Sequence, residues 1–447
     1  MARSFVSLVL LLLAAPFIAQ PANGQAQASG SDQAAMEQRI KDLEERVIAL
    51  EGQLRVLKSA QPAPAAAPAT ASPTVAEQPA APAPAETQTG EGAAASASTQ
   101  AQTYGGAGGS AAKALNPDIS VIGDFIGAAG GNSAPGLATI QPFPALQMHE
   151  SELGLQAIID PYARGDFFLS FGEEGVDLEE GYITFTALPA NLVARVGKMR
   201  SAFGKVNTMH NHVLPWVDRP LVTTNLVGGE DGIDDAGASI QRILPAPKGI
   251  FLEATGQLFR GDSSNVFQSA RNSDVSTVDH LRAYKDLSES TNLDIGLSYA
   301  RGHNNGEIAS QGIATGNFIT SLYGVDATLR WKPLRRSIYH SFIARSEFIW
   351  SQRHQLGPEQ RAFGFYAAAD YQLGRRWFLG GRFDRSDRSS LANLTDKGGS
   401  LVLTYWPSEF SQIRGQYEYT KYAEGQSGNQ LLLQLIFSLG AHGAHPF

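Results

Sequence analysis

Cysteine is missing altogether from the 447 residues, which rules out a disulfide framework and thiolate chemistry alike. No stretch offers 18 successive apolar residues, so a membrane-spanning helix is excluded too. Charge is thin at 17% of residues and its balance is acidic, 35 Lys and Arg against 43 Asp and Glu, for a net charge of -8. Phosphate backbones need a basic face, so nucleic acid is not an expected partner. What remains is a chain that is 43% hydrophobic and holds 46 glycines. If such a chain enters a bilayer it does so as a closed β-barrel, because lipid offers no partner to an unpaired strand edge.

The first 114 residues show no strand pattern. Residues 1–24 read as a secretory signal peptide: Arg3, an apolar run from Phe5 to about Ala15, then small residues around Ala22 and Gly24. Residues 31–59 read as a coiled coil for oligomerisation. Met36, Ile40, Leu43, Val47, Leu50, Leu54 and Leu57 alternate spacings of four and three, the 3.5-residue period of supercoiled helices. β-branched residues at a with Leu at d favour a dimer. Arg39 to Glu44 and Arg46 to Glu51 instead follow an Arg-apolar-x-x-apolar-Glu pattern associated with trimers, and both states stay open. Residues 60–114 are rich in Ala, Pro, Gly, Ser and Thr. Such a segment buries too little apolar surface to offset its ordering entropy and reads as a disordered linker.

From residue 115 to 447 the composition changes to alternating segments rich in Ile, Leu, Phe and Tyr. They predict sixteen strands, the first over 117–127, the eighth over 279–286, the eleventh over 338–353 and the last over 430–439. The expected fold is all-β, a 16-stranded antiparallel transmembrane barrel preceded by the short helical coil. Connection lengths support it. Pro161-Tyr162, Leu188-Pro189, LPAPKG, DLSES, KPLRR, LGRR and WPSE are short, whereas 128–145, 203–235, 261–278, 302–319 and 386–397 are long. Short turns at one end and long loops at the other are what an outer-membrane barrel requires.

The strand faces agree. Tyr323, Val325, Ala327, Leu329 and Trp331 oppose Asp326, Thr328 and Arg330, and Phe363, Phe365, Ala367, Ala369 and Tyr371 oppose Tyr366, Asp370 and Gln372. Apolar faces toward lipid and polar faces toward a lumen satisfy both solvents. In the closing strand Leu431, Leu433, Leu435, Phe437 and Leu439 share one face. A terminal aromatic suits an assembly signal for barrel-assembly machinery; Phe447 and Phe437 both qualify, since Pro446 cannot donate to a strand ladder.

ALNPDISVIGDF, ARVGKMRSAFGKVN, HVLPWVDRPL, GIDDAGASI and the closing FSLGAHGAHPF resemble the phosphate-selective porin O and P family, nearest to trimeric members with a periplasmic coiled coil. The resemblance implies a homotrimer in outer-membrane lipid, with the coil in the periplasm and a long loop after the fifth strand folded inward. That loop would be 203–235, whose Arg219, Glu230, Asp231, Asp234 and Asp235 would form a constriction. Anion-selective members carry ladders of arginine and lysine, and here the sequence departs. With the first 114 residues set aside, 28 basic and 34 acidic residues remain. The expected pore-lining residues are balanced, Arg330, Arg345, Arg353, Arg382 and Arg414 against Asp326, Glu347, Asp370, Asp384 and Glu418. A ring of one sign sets ion preference, so mixed signs imply a transverse field rather than phosphate selectivity.

The expected function is therefore passive diffusion of small polar or anionic solutes through a water-filled channel, without enzyme activity or a cofactor. Two alternatives stand beside it: a receptor or transporter for a metal or metal complex, and an envelope tether acting through the coil. His210 and His212, and His442 and His445, have spacings that could present imidazoles to a metal, but no third ligand is evident and no metal site is expected. Arg375, Arg376 and Trp377 read as an interface anchor at the short-turn rim.

Overall fold

A computed structural model describes residues 117–130, 145–172, 175–263, 266–306 and 318–440. The expected signal peptide, coiled coil and linker, and His442, His445 and Phe447, lie outside the described residues. Sixteen strands are present among those described: β1 (Asp118–Ala129), β2 (Leu146–Asp160), β3 (Ala163–Gly172), β4 (Gly175–Leu188), β5 (Leu192–Arg200), β6 (Asp234–Leu244), β7 (Ile250–Phe259), β8 (Ser276–Ser288), β9 (Thr291–Asn304), β10 (Phe318–Trp331), β11 (Phe342–Arg353), β12 (Gln360–Gln372), β13 (Trp377–Asp387), β14 (Thr395–Ser408), β15 (Ser411–Lys421) and β16 (Ser427–Gly440). Each pairs antiparallel with its sequence neighbours, and β1 closes the ring against β16 from Ser120 opposite Gly440 to Ala129 opposite Leu431. Closure leaves no strand edge unpaired, the condition that lipid imposes.

Alternation is strictest in β16. Leu431, Leu433, Leu435, Phe437 and Leu439 are exposed on the outside, while Gln430, Leu432, Gln434, Ile436 and Ser438 are buried inside. At the short-turn end Trp377 of β13 packs at a tilt against Tyr405 of β14, with ring centroids 4.5 Å apart. Rings at that level suit the boundary between hydrocarbon and headgroups.

Strand ends move by up to four residues from the sequence reading, and two of these shifts change an assignment. β11 begins at Phe342, so the turn before it occupies 332–341 rather than KPLRR alone; Ser337 to His340 close helical-type turns, with Tyr339 and His340 N–H groups donating to the Arg336 carbonyl. Asp234 and Asp235 belong to β6, not to the preceding loop. The Asp235 carboxylate accepts from the backbone N–H groups of Gly261 and Asp262 and thereby fixes the β7–β8 loop rather than a constriction.

The interior also differs from the purely polar lumen expected. Phe203, Val206, Leu214, Trp216, Val222, Leu226 and Val227 of the β5–β6 loop are buried in one cluster with Val278, Ala300, Leu322, Ile349, Tyr366 and Val402 of the wall. An apolar core inside a wide barrel is possible only because a chain segment fills it. Each such side chain removed from water contributes roughly 1.5–3 kcal/mol, enough to hold a loop without regular secondary structure.

Candidate functional site

The segment between Arg200 and Asp234 is the inward loop. Its base is pinched shut, with the Ser201 N–H donating to the Ile233 carbonyl at 2.8 Å. Asn207 clips the same point: its amide donates to the Ser201 and Ile233 carbonyls at 3.0 and 3.1 Å and accepts from the Ile233 N–H at 2.8 Å. Gly232 sits at φ +62, and a Cβ there would lie 2.1 Å from the Asn207 side chain, so only glycine fits. Arg219 is spent inside the loop, donating to the carbonyls of Val206 and Met209 and to the Asn211 side chain. Burial pushes its guanidinium down to about 10, still cationic at neutral pH.

Anchors run around the wall. Glu347 accepts from the N–H groups of Lys205 and Val206 at 2.6 and 2.7 Å. The Leu221 N–H donates to Asp384, Arg382 donates to Asp218 at 2.5 Å, and Arg414 donates to the Trp216 carbonyl at 3.1 Å. Trp216 lies beneath the Arg382 guanidinium, 4.9 Å from its ring centroid, and meets Tyr366 edge-on at 5.2 Å. At one rim Asn225 donates to Asp396, which Arg388 holds together with Glu424. The Arg388 guanidinium keeps the Glu424 carboxyl below the usual carboxylate range.

All ten expected lumen residues lie on inward strand positions, but they divide by role. Arg382, Arg414, Glu347 and Asp384 hold the loop. Arg345 pairs with Asp370 across β11 and β12. Asp326 faces Glu347 across β10 and β11, Glu418 stands beside Gln416, and Arg353 is buried at the end of β11. Glu230 of the loop meets His149 at 3.0 Å, and the carbonyls of Glu230 and Asp231 accept from Arg200.

Two charged regions gather partners around residues named from the sequence, Arg330 in one and His210 in the other. On the β8–β10 side, Arg282, Arg330 and loop residue Lys205 surround Asp294 at 2.8, 3.9 and 3.0 Å. Asp294 is only 1% exposed, whereas the three cations are 35%, 29% and 23% exposed, so water meets positive charge there. On the β2–β4 side, Glu150, Glu152, Glu179 and Glu180 gather around His210. Strict alternation would send only one of Glu179 and Glu180 inward. The β3–β4 register shifts there, Phe168 opposing Glu180 and Leu169 opposing Leu178, so Glu179 is the extra residue of a bulge. A bulge re-aims a side chain, and both carboxylates face His210, at 2.7 Å from Glu179 and 3.0 Å from Glu180. The third ligand that His210 and His212 lack in the sequence is Glu152, 2.7 Å and 3.6 Å from the two rings. The two regions are centred on β9 and β3, six places apart around the ring of sixteen strands.

A closed barrel with an apolar exterior, a charged interior and one long segment folded across its lumen defines the transmembrane β-barrel class. No family model matches the chain. An uncharacterized protein of Aquifex aeolicus (strain VF5) is 27% identical, over 75% of this chain and 81% of its own length. A loop L8 deletion mutant of OmpT, an outer membrane protein of Vibrio cholerae, superposes with a TM-score of 0.50 at 8% identity, covering 72% of this chain and 99% of that one. The outer membrane channel DcaP of Acinetobacter baumannii gives 0.48 at 13% identity, over 72% of this chain and 96% of that one. At 8% identity, what the first of these structures shares with the chain is its fold.

Proposed function

We propose that the protein is an outer-membrane porin, a water-filled channel through which small polar or anionic solutes diffuse passively past the inward loop. The observation that carries this reading is the trio Lys205, Arg282 and Arg330, whose charged ends meet water while the Asp294 carboxylate beneath them does not. Cations presented to a narrow aqueous passage raise the local concentration of anions. The buried acidic cluster on β2–β4, six strands away around the wall, gives the passage two electrostatic sides, which orients a dipolar solute. No catalytic step is assigned to these groups. The resemblance to phosphate-selective porins supports the channel class, and the shortage of an uninterrupted basic ladder argues for general rather than phosphate-selective passage. The homotrimer, the secretory signal and the periplasmic coil belong to the same proposal and rest on the sequence patterns and that resemblance.

Planar-bilayer recording of the purified protein tests the reading. Stepwise conductance is expected, and its absence across a range of salts would overturn the proposal. Under a salt gradient the double variant Arg282→Gln, Arg330→Gln is expected to shift the reversal potential toward cation preference. An unshifted potential would show that solutes do not pass the β8–β10 side.

A further inference from the structure

We infer that His210 and His212 of the inward loop, with Glu152 and Glu150 of β2 and Glu179 of β4, form a binding site for a divalent transition-metal ion that ties the loop to the barrel wall. The ligand atoms of Glu152, His210 and His212 lie within 4.8 Å of one another, as do those of Glu150, Glu152 and Glu179, and Glu152 belongs to both sets. Bonds of about 2.0–2.2 Å from Zn²⁺ to imidazole nitrogen and carboxylate oxygen place neighbouring ligand atoms about 3 Å apart and opposite ones about 4 Å apart, so each set lies within about an ångström of the spacing one ion imposes, and Glu152 is the ligand the two sets share.

The protein's own donors do not satisfy this cluster. His210 Nδ1 has a single proton at most, yet carboxylate oxygens of both Glu152 and Glu179 stand 2.7 Å from it. Glu150 is 4% exposed, neither of its oxygens meets a backbone or cationic donor, and the group it faces at close range is the Glu179 carboxylate. A buried carboxylate without such a donor is costly. Four carboxylates converge here, and Arg200, 3.6 Å from Glu179, is the guanidinium that reaches them. Negative charge in excess of the fixed cations, buried and aimed at two imidazoles, is a cation site by composition. The mixed nitrogen and oxygen set selects Zn²⁺, Co²⁺ or Ni²⁺ over Mg²⁺ and Ca²⁺, which take oxygen alone. Phe168 packs edge-on against His210, with centroids 5.4 Å apart, and holds the ring in place.

This inference does not rest on the channel reading, since binding can be measured without transport. The full-length protein, folded in detergent and stripped with chelator, is titrated with Zn²⁺ by calorimetry and with Co²⁺ by absorption spectroscopy. Saturation at one ion per chain is expected, with a Co²⁺ spectrum showing nitrogen ligation and no competition from Ca²⁺. His212→Ala and the near-isosteric Glu150→Gln are each expected to weaken Zn²⁺ binding by at least tenfold while the barrel keeps its folded electrophoretic mobility. Because Glu150→Gln preserves shape, it guards against a folding defect in the histidine variant. Absence of Zn²⁺ and Co²⁺ binding, equal competition by Ca²⁺, or affinity unchanged in both folded variants would overturn the site.

Discussion

The barrel wall and the loop it encloses are held by different physics. Residues 427–440 of β16 alternate faces with period two, and every turn of that pattern is backed by a backbone ladder to β1 and β15. Residues 201–233 have no period. They form only short helical turns, and side chains from β7, β9, β11, β13, β14 and β15 satisfy them one by one. A ladder tolerates changes of side chain that keep the face polarity; a loop held by individual contacts does not. The loop is therefore the part of the molecule most sensitive to single substitutions on the inside, and the wall to substitutions on the outside.

Trp216→Ala should have the largest effect. The ring is fully buried between Tyr366 and Arg382, and truncating such a residue costs about 3–5 kcal/mol. The loss should appear as protease cleavage within 201–233 and unsteady conductance, with the barrel still migrating as folded. Unfolding of the whole barrel instead would erase the distinction between the two regions. Leu433→Arg should come next, because Leu433 faces outward midway along β16. An arginine near the bilayer midplane costs about 2–4 kcal/mol, which should lower the denaturant midpoint in lipid vesicles while leaving single-channel conductance unchanged. A changed conductance would place that face toward the lumen. The smallest effect concerns the rim. Glu424 has its carboxyl lowered by Arg388, so the pair contributes stability above the ordinary glutamate range, and this is lost as pH falls through the lowered value. Glu424→Gln should thus make protease resistance of the rim less dependent on acid; identical pH profiles in both proteins would remove the pair from the account.

Much of the wall was legible because alternation and loop length are local properties. The sixteen segments, the ring that closes them and the inward positions of Asp326, Glu347, Asp370, Asp384 and Glu418 all follow from period-two patterning with lipid outside. The sites that escaped notice did so for nameable reasons. Glu179 and Glu180 are adjacent in β4, where alternation alone would put them on opposite faces, and only the bulge turns both inward. Lys205 lay in a stretch without period, and its role depends on meeting Asp294, 89 positions away. The family resemblance puts Arg219 at a constriction, yet its guanidinium is spent on carbonyls and the Asn211 side chain of its own loop.

The sequence by itself determined that this chain builds a closed antiparallel barrel, greasy outside and charged inside, because a strand in lipid must satisfy its backbone through neighbours and its side chains through alternation. Only the tertiary structure decided what the lumen contains. Which charges hold the loop, which meet water and which converge on His210 depend on contacts between residues far apart in the chain. Those contacts form once the ring has closed and the loop has packed its apolar side chains against the wall.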